Sequence, residues 1–507
     1  MNPLEEPGCG SRCIDPCILV IFGATGDLTG RKLTPAIYHL GREGLLPANF
    51  ACVGFARRPK SNEEFRQELK QDVETFSRTT PIDEAYWKNF QEQIFYHRSE
   101  FDSNDGYQSL ARLLSQIDTR HGTRGNRIFY LSVPPKFFPL IIEKLKKFNL
   151  IYDVSETEER WSRVIIEKPF GHDAPSSALL QTTIQKYIHE SQTYRIDHYL
   201  GKETVQNILV FRFANSIFES IWNYKHIDHV QITVAEEIGI GTRGAFFEEQ
   251  GLLRDVVQNH MMQLLSLVAM EPPVNLSASA VRDEKVKVLQ SIRPLTPCDF
   301  EQNVVRGQYR SGYINGDSVG GYRQEQNVDP KSCVETYAAL RFHIDNWRWA
   351  GVPFYLRGGK RLPKRATEIA ITFKDAPGFL FQNQGKNDPN VLAIRIQPDE
   401  GIAMKINCKV PGPSSPIQPV KMDFRYGSYF GQSPPEAYER LIWDCMIGDN
   451  TLFARSDEVM HSWNILTPLL EYWAKTQPDF PNYSAGTWGP QFADAMIAKD
   501  GRSWRLL

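Results

Sequence analysis

Six apolar residues in a row, Cys17 to Phe22, predict a strand buried on both faces. Past a glycine-bearing turn, a helical pattern runs through Tyr38, Leu40 and Arg42, where Pro35 predicts either a kink or a later start. Short apolar runs at 50–55, 128–133 and 163–167 predict further strands, with helical stretches between them. Strands alternating with helices predict a parallel, doubly wound sheet. Past residue 200 the texture changes. Alternating or β-rich runs recur at 208–213, 229–236, 335–344, 352–356, 368–373, 392–397, 402–407 and 420–426. Few long helices intervene, so these runs predict one large, mainly antiparallel sheet. The fold class expected is α/β plus α+β.

A chain of 507 residues is too long for one compact core, so at least two domains are expected. The formal net charge of −2 gives no general drive toward nucleic acid or anionic membranes, so any anion site is built locally. The basic stretch 120–127 is short and lacks interleaved aromatics, which speaks against nucleic-acid binding. No apolar run approaches the roughly 20 residues of a membrane helix. The first sixteen residues carry Glu5, Glu6 and Asp15 without an apolar core, so no secretory signal is expected. Eight cysteines in a chain this long do not make a disulfide framework, and a cytoplasmic setting is expected. Cys9, Cys13 and Cys17 recur every four residues, yet Pro7, Gly8, Gly10 and Pro16 oppose a helix there. Cys17 belongs to the first strand, and without a histidine or paired C-x-x-C, Cys9 and Cys13 read as incidental thiols of a flexible tail, 1–16. His226 and His229 would face opposite sides of a strand, so no metal site is expected there.

The chemistry starts at the first turn. Gly23-Ala-Thr-Gly26-Asp-Leu-Thr-Gly30 joins the first strand to the first helix, a setting in which a pyrophosphate sits on a helix N-terminus. The spacing is GxxGxxxG and not GxGxxG; the strand–turn–helix context carries it. At the end of the second strand stands Ala56-Arg57-Arg58, where an NAD site usually offers an acid, so NADP is expected. Lys168 follows the strand 163–167, at the strand tip where ligands bind in such sheets. The segment Tyr194-Arg-Ile-Asp-His-Tyr-Leu-Gly-Lys202-Glu packs a carboxylate, cations, an imidazole and a phenol together. If it opens a helix, His198 and Lys202 share a face and can both donate to one phosphate, while Asp197 points elsewhere. Asp255 and His260, five apart on the predicted helix after Gly251, diverge by more than a turn. The cationic stretch Arg357-Gly-Gly-Lys360-Arg-Leu-Pro-Lys-Arg365 reads as a loop after a strand.

The pattern Arg195-Ile-Asp-His-Tyr-Leu-Gly-Lys202 resembles the phosphate-binding signature of the glucose-6-phosphate dehydrogenases, and Glu167-Lys-Pro-Phe-Gly171 resembles another of their motifs. The resemblance runs in register from residue 17 to about 475. It implies a Rossmann-like NADP-binding domain at 17–200. It also implies an α+β domain at 201–507 that binds substrate and dimerises through its sheet, giving a homodimer or homotetramer. It implies His260 as general base, with Asp197 fixing its tautomer and stabilising the imidazolium. His198, Tyr199 and Lys202 would hold a 6-phosphate, Glu236 and Asp255 ring hydroxyls, and Lys360 and Arg365 further substrate groups. An alignment slip of one would exchange Glu236 for Glu237. Gly23, Ala24, Thr25, Gly26, Asp27, Leu28, Arg57 and Tyr130 would meet the cofactor, and Lys168 both cofactor and substrate. A cis peptide before Pro169 is also implied. The implied reaction oxidises glucose 6-phosphate to 6-phosphoglucono-δ-lactone, the first step of the oxidative pentose phosphate pathway, with hydride passing to NADP+ and no metal required. Some members hold a second, structural NADP; Arg357, Arg395, Gln397 and Lys405 persist from that site, but Ala366, Ala370 and Ala403 replace its other groups, so it is expected to be absent. The alternatives are a non-catalytic NADP(H) sensor of the same fold and a dehydrogenase of another sugar phosphate.

Overall fold

The computed structural model describes residues 14–154, 160–377, 388–412, 417–431 and 434–507. The cysteines at 9 and 13, with most of the expected tail, lie outside them. The chain forms two compact units, the first of residues up to Lys202 with Pro273–Arg282 and Pro435–Met460, the second of Glu203–Pro272, Asp283–Pro434 and His461–Leu507.

In the first unit, strands β1 (Cys17–Phe22), β2 (Phe50–Ala56), β3 (Ile94–Arg98), β4 (Arg127–Leu131), β5 (Ser162–Ile166) and β6 (Thr193–Arg195) form a sheet in the order β3-β2-β1-β4-β5-β6. Every pairing is parallel, as the alternating pattern predicts. β1, β2 and β4 are buried along their whole length, which explains their unbroken apolar runs. The helix after β1 runs unbroken from Asp27 to Arg42, with Thr29–Leu33 π-helical, and Pro35, which has no N–H to give the ladder, lies just past that stretch, so the later start does not occur. Helix Asn62–Phe76 starts on a capping box in which Ser61 and Glu64 exchange hydrogen bonds of 3.2 and 2.7 Å.

The second unit contains β7 (Ile227–Ala235), β8 (Val304–Gly307), the short β9 (Tyr309–Arg310), β10 (Gly312–Ile314) and β11 (Asp317–Val319), then β12 (Tyr337–His343), β13 (Pro353–Gly359), β14 (Ala366–Phe373), β15 (Val391–Gln397), β16 (Gly401–Lys409) and β17 (Ile417–Arg425). Eight of them make one sheet, β17-β16-β15-β14-β7-β13-β12-β8. It is antiparallel except where β13 runs parallel to β7. β14 is wholly buried, whereas edge strand β17 is almost wholly exposed.

One expected strand is wrong. Residues 208–213 close the helix Glu203–Phe213, not a strand. Its buried side chains include Thr204, Val205, Gln206, Ile208, Leu209 and Arg212, so the apolar residues form no single stripe, and a short apolar run cannot be told from a buried helix by period. The cationic stretch is also partly misread. Arg357 lies inside β13 and is buried, and Lys360 directly after it is buried too. No helix among the described residues is long and apolar enough to cross a membrane.

Candidate active site

The turn after β1 is tied to the neighbouring strand by the N–H groups of Gly23 and Ala24, which donate to the Phe55 carbonyl at 2.9 and 3.3 Å. Gly23 has φ +83°, and a Cβ there would lie 2.1 Å from the Ser132 carbonyl oxygen beyond β4, so only glycine fits. Gly26 N–H closes the turn onto Gly23 at 2.9 Å. Thr25 and Leu28 are half-buried, Gly26 and Asp27 are exposed, and Asp27 pairs with Arg31 at 2.7 Å. This turn and the tip of β4 meet where the strand order reverses, the crevice in which doubly wound sheets bind ligands. Arg57, the first residue after β2, is exposed and makes no ion pair among the described residues.

Lys168 follows β5, half-buried, with a cis peptide to Pro169. Its neighbour Glu167 accepts from the Tyr130 hydroxyl at 2.5 Å, so Tyr130 is a buried residue committed to a carboxyl group. Burial pushes Glu167 up to about 7, against the pull of Tyr130, Lys168 and Tyr438.

The segment 197–202 is not helical. It is a compact turn between β6 and helix Glu203–Phe213, with Leu200 N–H on the Asp197 carbonyl at 3.0 Å and Lys202 N–H on the Tyr199 carbonyl at 3.1 Å. His198 and Lys202 therefore do not share a helical face, because Asp197 spends Oδ1 on the Tyr199 N–H, 3.0 Å away, and bends the chain. The turn still gathers the expected groups. The His198 and Tyr199 rings are 5.3 Å apart, and Lys202 Nζ lies 5.1 Å from the Tyr199 ring. Buried Arg195 anchors the strand end to Glu190 at 2.6 Å and Gln181 at 2.6 Å.

In the second unit, Glu236 leaves β7 and Lys360 leaves β13, adjacent strands in parallel register. Lys360 Nζ lies 2.6 Å from Glu236 and 3.7 Å from Asp255, and 5.7 Å from the Phe247 ring. Glu237 instead accepts from Asn315 at 2.5 Å, so it is Glu236 that joins Lys360. Asp255 and His260 ride a π-helix, Leu253–Met261, entered through Gly251 at φ +62°. In a π-helix residues five apart bond to each other's backbone, so His260 stands one turn beyond Asp255 and not on a diverging face. Both side chains are largely withdrawn from solvent. Arg365 is exposed and donates to Gln397 at 3.2 Å. His229 pairs with Asp228 at 2.7 Å, while His226 is exposed.

Comparison with known proteins decides the family. Residues 20–207 match the model "Glucose-6-phosphate dehydrogenase, NAD binding domain", and residues 209–505 match "Glucose-6-phosphate dehydrogenase, C-terminal domain". The chain belongs to the glucose-6-phosphate dehydrogenase family. It is 54% identical to a glucose-6-phosphate 1-dehydrogenase of Chlamydia muridarum, covering 100% of both chains, and 46% identical to glucose-6-phosphate 1-dehydrogenase 2 of Mycobacterium tuberculosis, covering 97% of this chain and 95% of that one. A solved glucose-6-phosphate dehydrogenase in complex with its substrate glucose-6-phosphate superposes with TM-score 0.88 at 36% identity, covering 98% of this chain and 100% of that one.

The first unit holds one residue at this site that local pattern did not reveal. Tyr438 lies parallel to the His198 ring, 6.4 Å away at 6°, and its burial, with Glu167 and Asp197 nearby, raises the pKa of its hydroxyl. A Cβ at Gly201 would meet the Ala437 carbonyl at 2.6 Å, so the 197–202 turn is packed on the residue before Tyr438. The groups expected at a second nucleotide site are engaged within the chain. Arg357 donates to Thr233 at 3.1 Å and the Arg505 carbonyl at 2.8 Å, and Lys405 pairs with Asp388 at 2.9 Å.

Proposed function

We propose that this chain oxidises D-glucose 6-phosphate to 6-phosphoglucono-δ-lactone with NADP+ as the acceptor. The observation that carries the reading is the 197–202 turn, which sets an imidazole, a phenol and an ammonium together beside a buried carboxylate, in a chain of this family throughout its length. Bound NADP+ supplies hydride acceptance at its nicotinamide. The residues fit that group. The turn 23–28 and Lys168 stand at strand tips, and exposed Arg57 offers a guanidinium with no carboxylate partner among the described residues, suited to a 2′-phosphate.

His198, Tyr199 and Lys202 hold the 6-phosphate by charge-assisted hydrogen bonds. Glu236 and Asp255 accept from ring hydroxyls, while Lys360 keeps their two charges tolerable in a largely buried setting. His260 takes the anomeric hydroxyl proton, and Asp197 stabilises the imidazolium so formed. Arg365 and Lys168 complete the substrate contacts.

Residues Val420 and Met422 on edge strand β17, with Tyr429 and Phe430, leave an apolar surface exposed, which supports assembly as a homodimer or homotetramer. Exposed free thiols at Cys298, Cys333 and Cys408 fit the reducing cytoplasm.

The test is the initial rate of reduced-nicotinamide formation with glucose 6-phosphate, NADP+ and NAD+ side by side. Turnover favouring NADP+ is expected. A folded chain that binds NADP+ and turns nothing over would instead be a sensor. Faster turnover of mannose or galactose 6-phosphate would move the substrate assignment.

A further inference from the structure

Beside the bend at Gly251, wholly within the second unit, lies a cavity of about 360 Å³, within the roughly 300–1,000 Å³ of small-ligand sites. Arg254, Arg306 and Lys475 bring three cations to its wall, and Glu248 and Glu335 bring two carboxyl groups. Both acids are spoken for. Glu248 accepts from the hydroxyls of Tyr322 at 2.5 Å and Ser332 at 2.7 Å. Glu335 is buried, which pushes its pKa up, and accepts from the Leu253 N–H at 3.0 Å. Arg306 lies 5.4 Å from the Trp473 ring and donates to the neutral carbonyls of Trp473 and Thr476 at 3.3 and 2.9 Å, which satisfy its N–H groups without balancing its charge. Lys475 is exposed at the end of helix Ser456–Lys475 and makes no ion pair among the described residues. A concave wall on which Arg306 is held by neutral carbonyls, and neither it nor Lys475 is paired with a carboxylate among the described residues, is suited to a small anion.

The geometry points to a binding site here for a small dianion, a phosphate ester or a dicarboxylate, held by Arg254, Arg306 and Lys475. The site has a lever on the π-helix. Arg254 directly precedes Asp255, and the entry to that helix is fixed by Gly251, whose φ is +62° and whose added Cβ would lie 2.4 Å from Glu335. A dianion drawing on Arg254 therefore alters how Asp255 is presented, and with it the KM for glucose 6-phosphate; this second half rests on the substrate role proposed for Asp255.

Cys333 is exposed on the same cavity and reports occupancy without turnover. In the full chain with Cys9, Cys13, Cys298 and Cys408 replaced by serine, the rate of Cys333 alkylation is followed while inorganic phosphate or succinate is added at constant ionic strength. Either probe is expected to slow alkylation saturably, by about tenfold at ten times its Kd; phosphate alone acting marks an ester site, succinate alone a dicarboxylate site. Lys475→Glu is expected to abolish this protection while kcat and KM measured without the probe stay as in the wild type. Equal slowing by chloride, or protection undiminished in Lys475→Glu, overturns the site. A KM that does not respond to a probe which protects Cys333 overturns the lever alone. A chain without dehydrogenase activity still reports protection, so failure of the functional reading is distinguishable.

Discussion

The two sheets hold their candidate ligand groups by opposite means. In the parallel sheet the groups leave the carboxyl ends of strands on turns whose shape is set by backbone hydrogen bonds, such as those of Gly23 and Ala24 to Phe55 and of Lys202 to Tyr199. Their polar ends stay half-exposed or exposed at His198, Lys202 and Arg57. In the eight-stranded sheet's unit the groups sit deeper and are held by charge, with Lys360 between Glu236 and Asp255. The difference has an energetic meaning. Removing a solvated group at a strand tip deletes one ligand contact, whereas removing one member of a buried charge cluster also strands the others.

The largest effect is expected on the buried side. His260→Ala should lower kcat by roughly 10²–10⁴-fold, the usual worth of general-base help, with the fold intact by circular dichroism. Wild-type turnover would remove His260 from the chemistry. Next, Lys360→Met leaves Glu236 and Asp255 facing each other. It should cost about 2 kcal/mol or more of stability, discounted from the roughly 3–5 kcal/mol of a fully buried pair because Glu236 keeps some exposure, and raise the KM as well. If denaturant unfolding showed no loss, the cluster would be no charge-held unit. Its counterpart on the exposed side is Lys202→Ala, expected to raise the KM for glucose 6-phosphate by roughly 10–100-fold through one lost charge-assisted hydrogen bond, at unchanged stability. Equal destabilisation in both variants would erase the distinction between the sheets. A smaller effect is expected from Arg57→Gln, which should shrink the NADP+ over NAD+ preference in kcat/KM by roughly tenfold and leave sugar-phosphate KM unchanged.

The same contrast explains what the sequence made legible. Strand-tip groups sit in short contiguous motifs, so the turn 23–28, Arg57, Lys168 and 197–202 stand out in the sequence. β1 matched its expected bounds because a strand buried on both faces writes an unbroken apolar run. The charge cluster was another matter. Glu236, Asp255 and Lys360 came from family resemblance, because nothing local tells a reader that an acid after one strand meets a lysine after another. The choice between Glu236 and Glu237 needed the parallel register of β7 and β13. The π-helix was invisible, since its apolar spacing over so few residues passes for an α-helix. Tyr438 was missed for the same reason: it reaches His198 through a segment that returns to the first unit from far along the chain.

Glu167, just past β5, gives the finest test, because its carboxyl group is largely withdrawn from solvent in the unit where His198, Lys202 and Arg57 keep their exposure. Its pKa is raised from 4.5 to about 7 by burial. The groups facing it are Tyr130 from β4, the adjoining Lys168 and Tyr438 from helix Ala437–Ile447. Between about pH 4.5 and 7 the folded chain keeps this proton and the unfolded chain releases it, so folding stability falls as pH rises through that window and is level above it. The span is worth up to about 3 kcal/mol. Glu167→Gln should flatten that part of the stability–pH curve, read from urea midpoints. Tyr438→Phe should move the opposite way, extending the decline to higher pH, because it removes a neighbouring hydroxyl that favours the carboxylate. Were both variants to track the wild type, the Glu167 proton would not be held by this site.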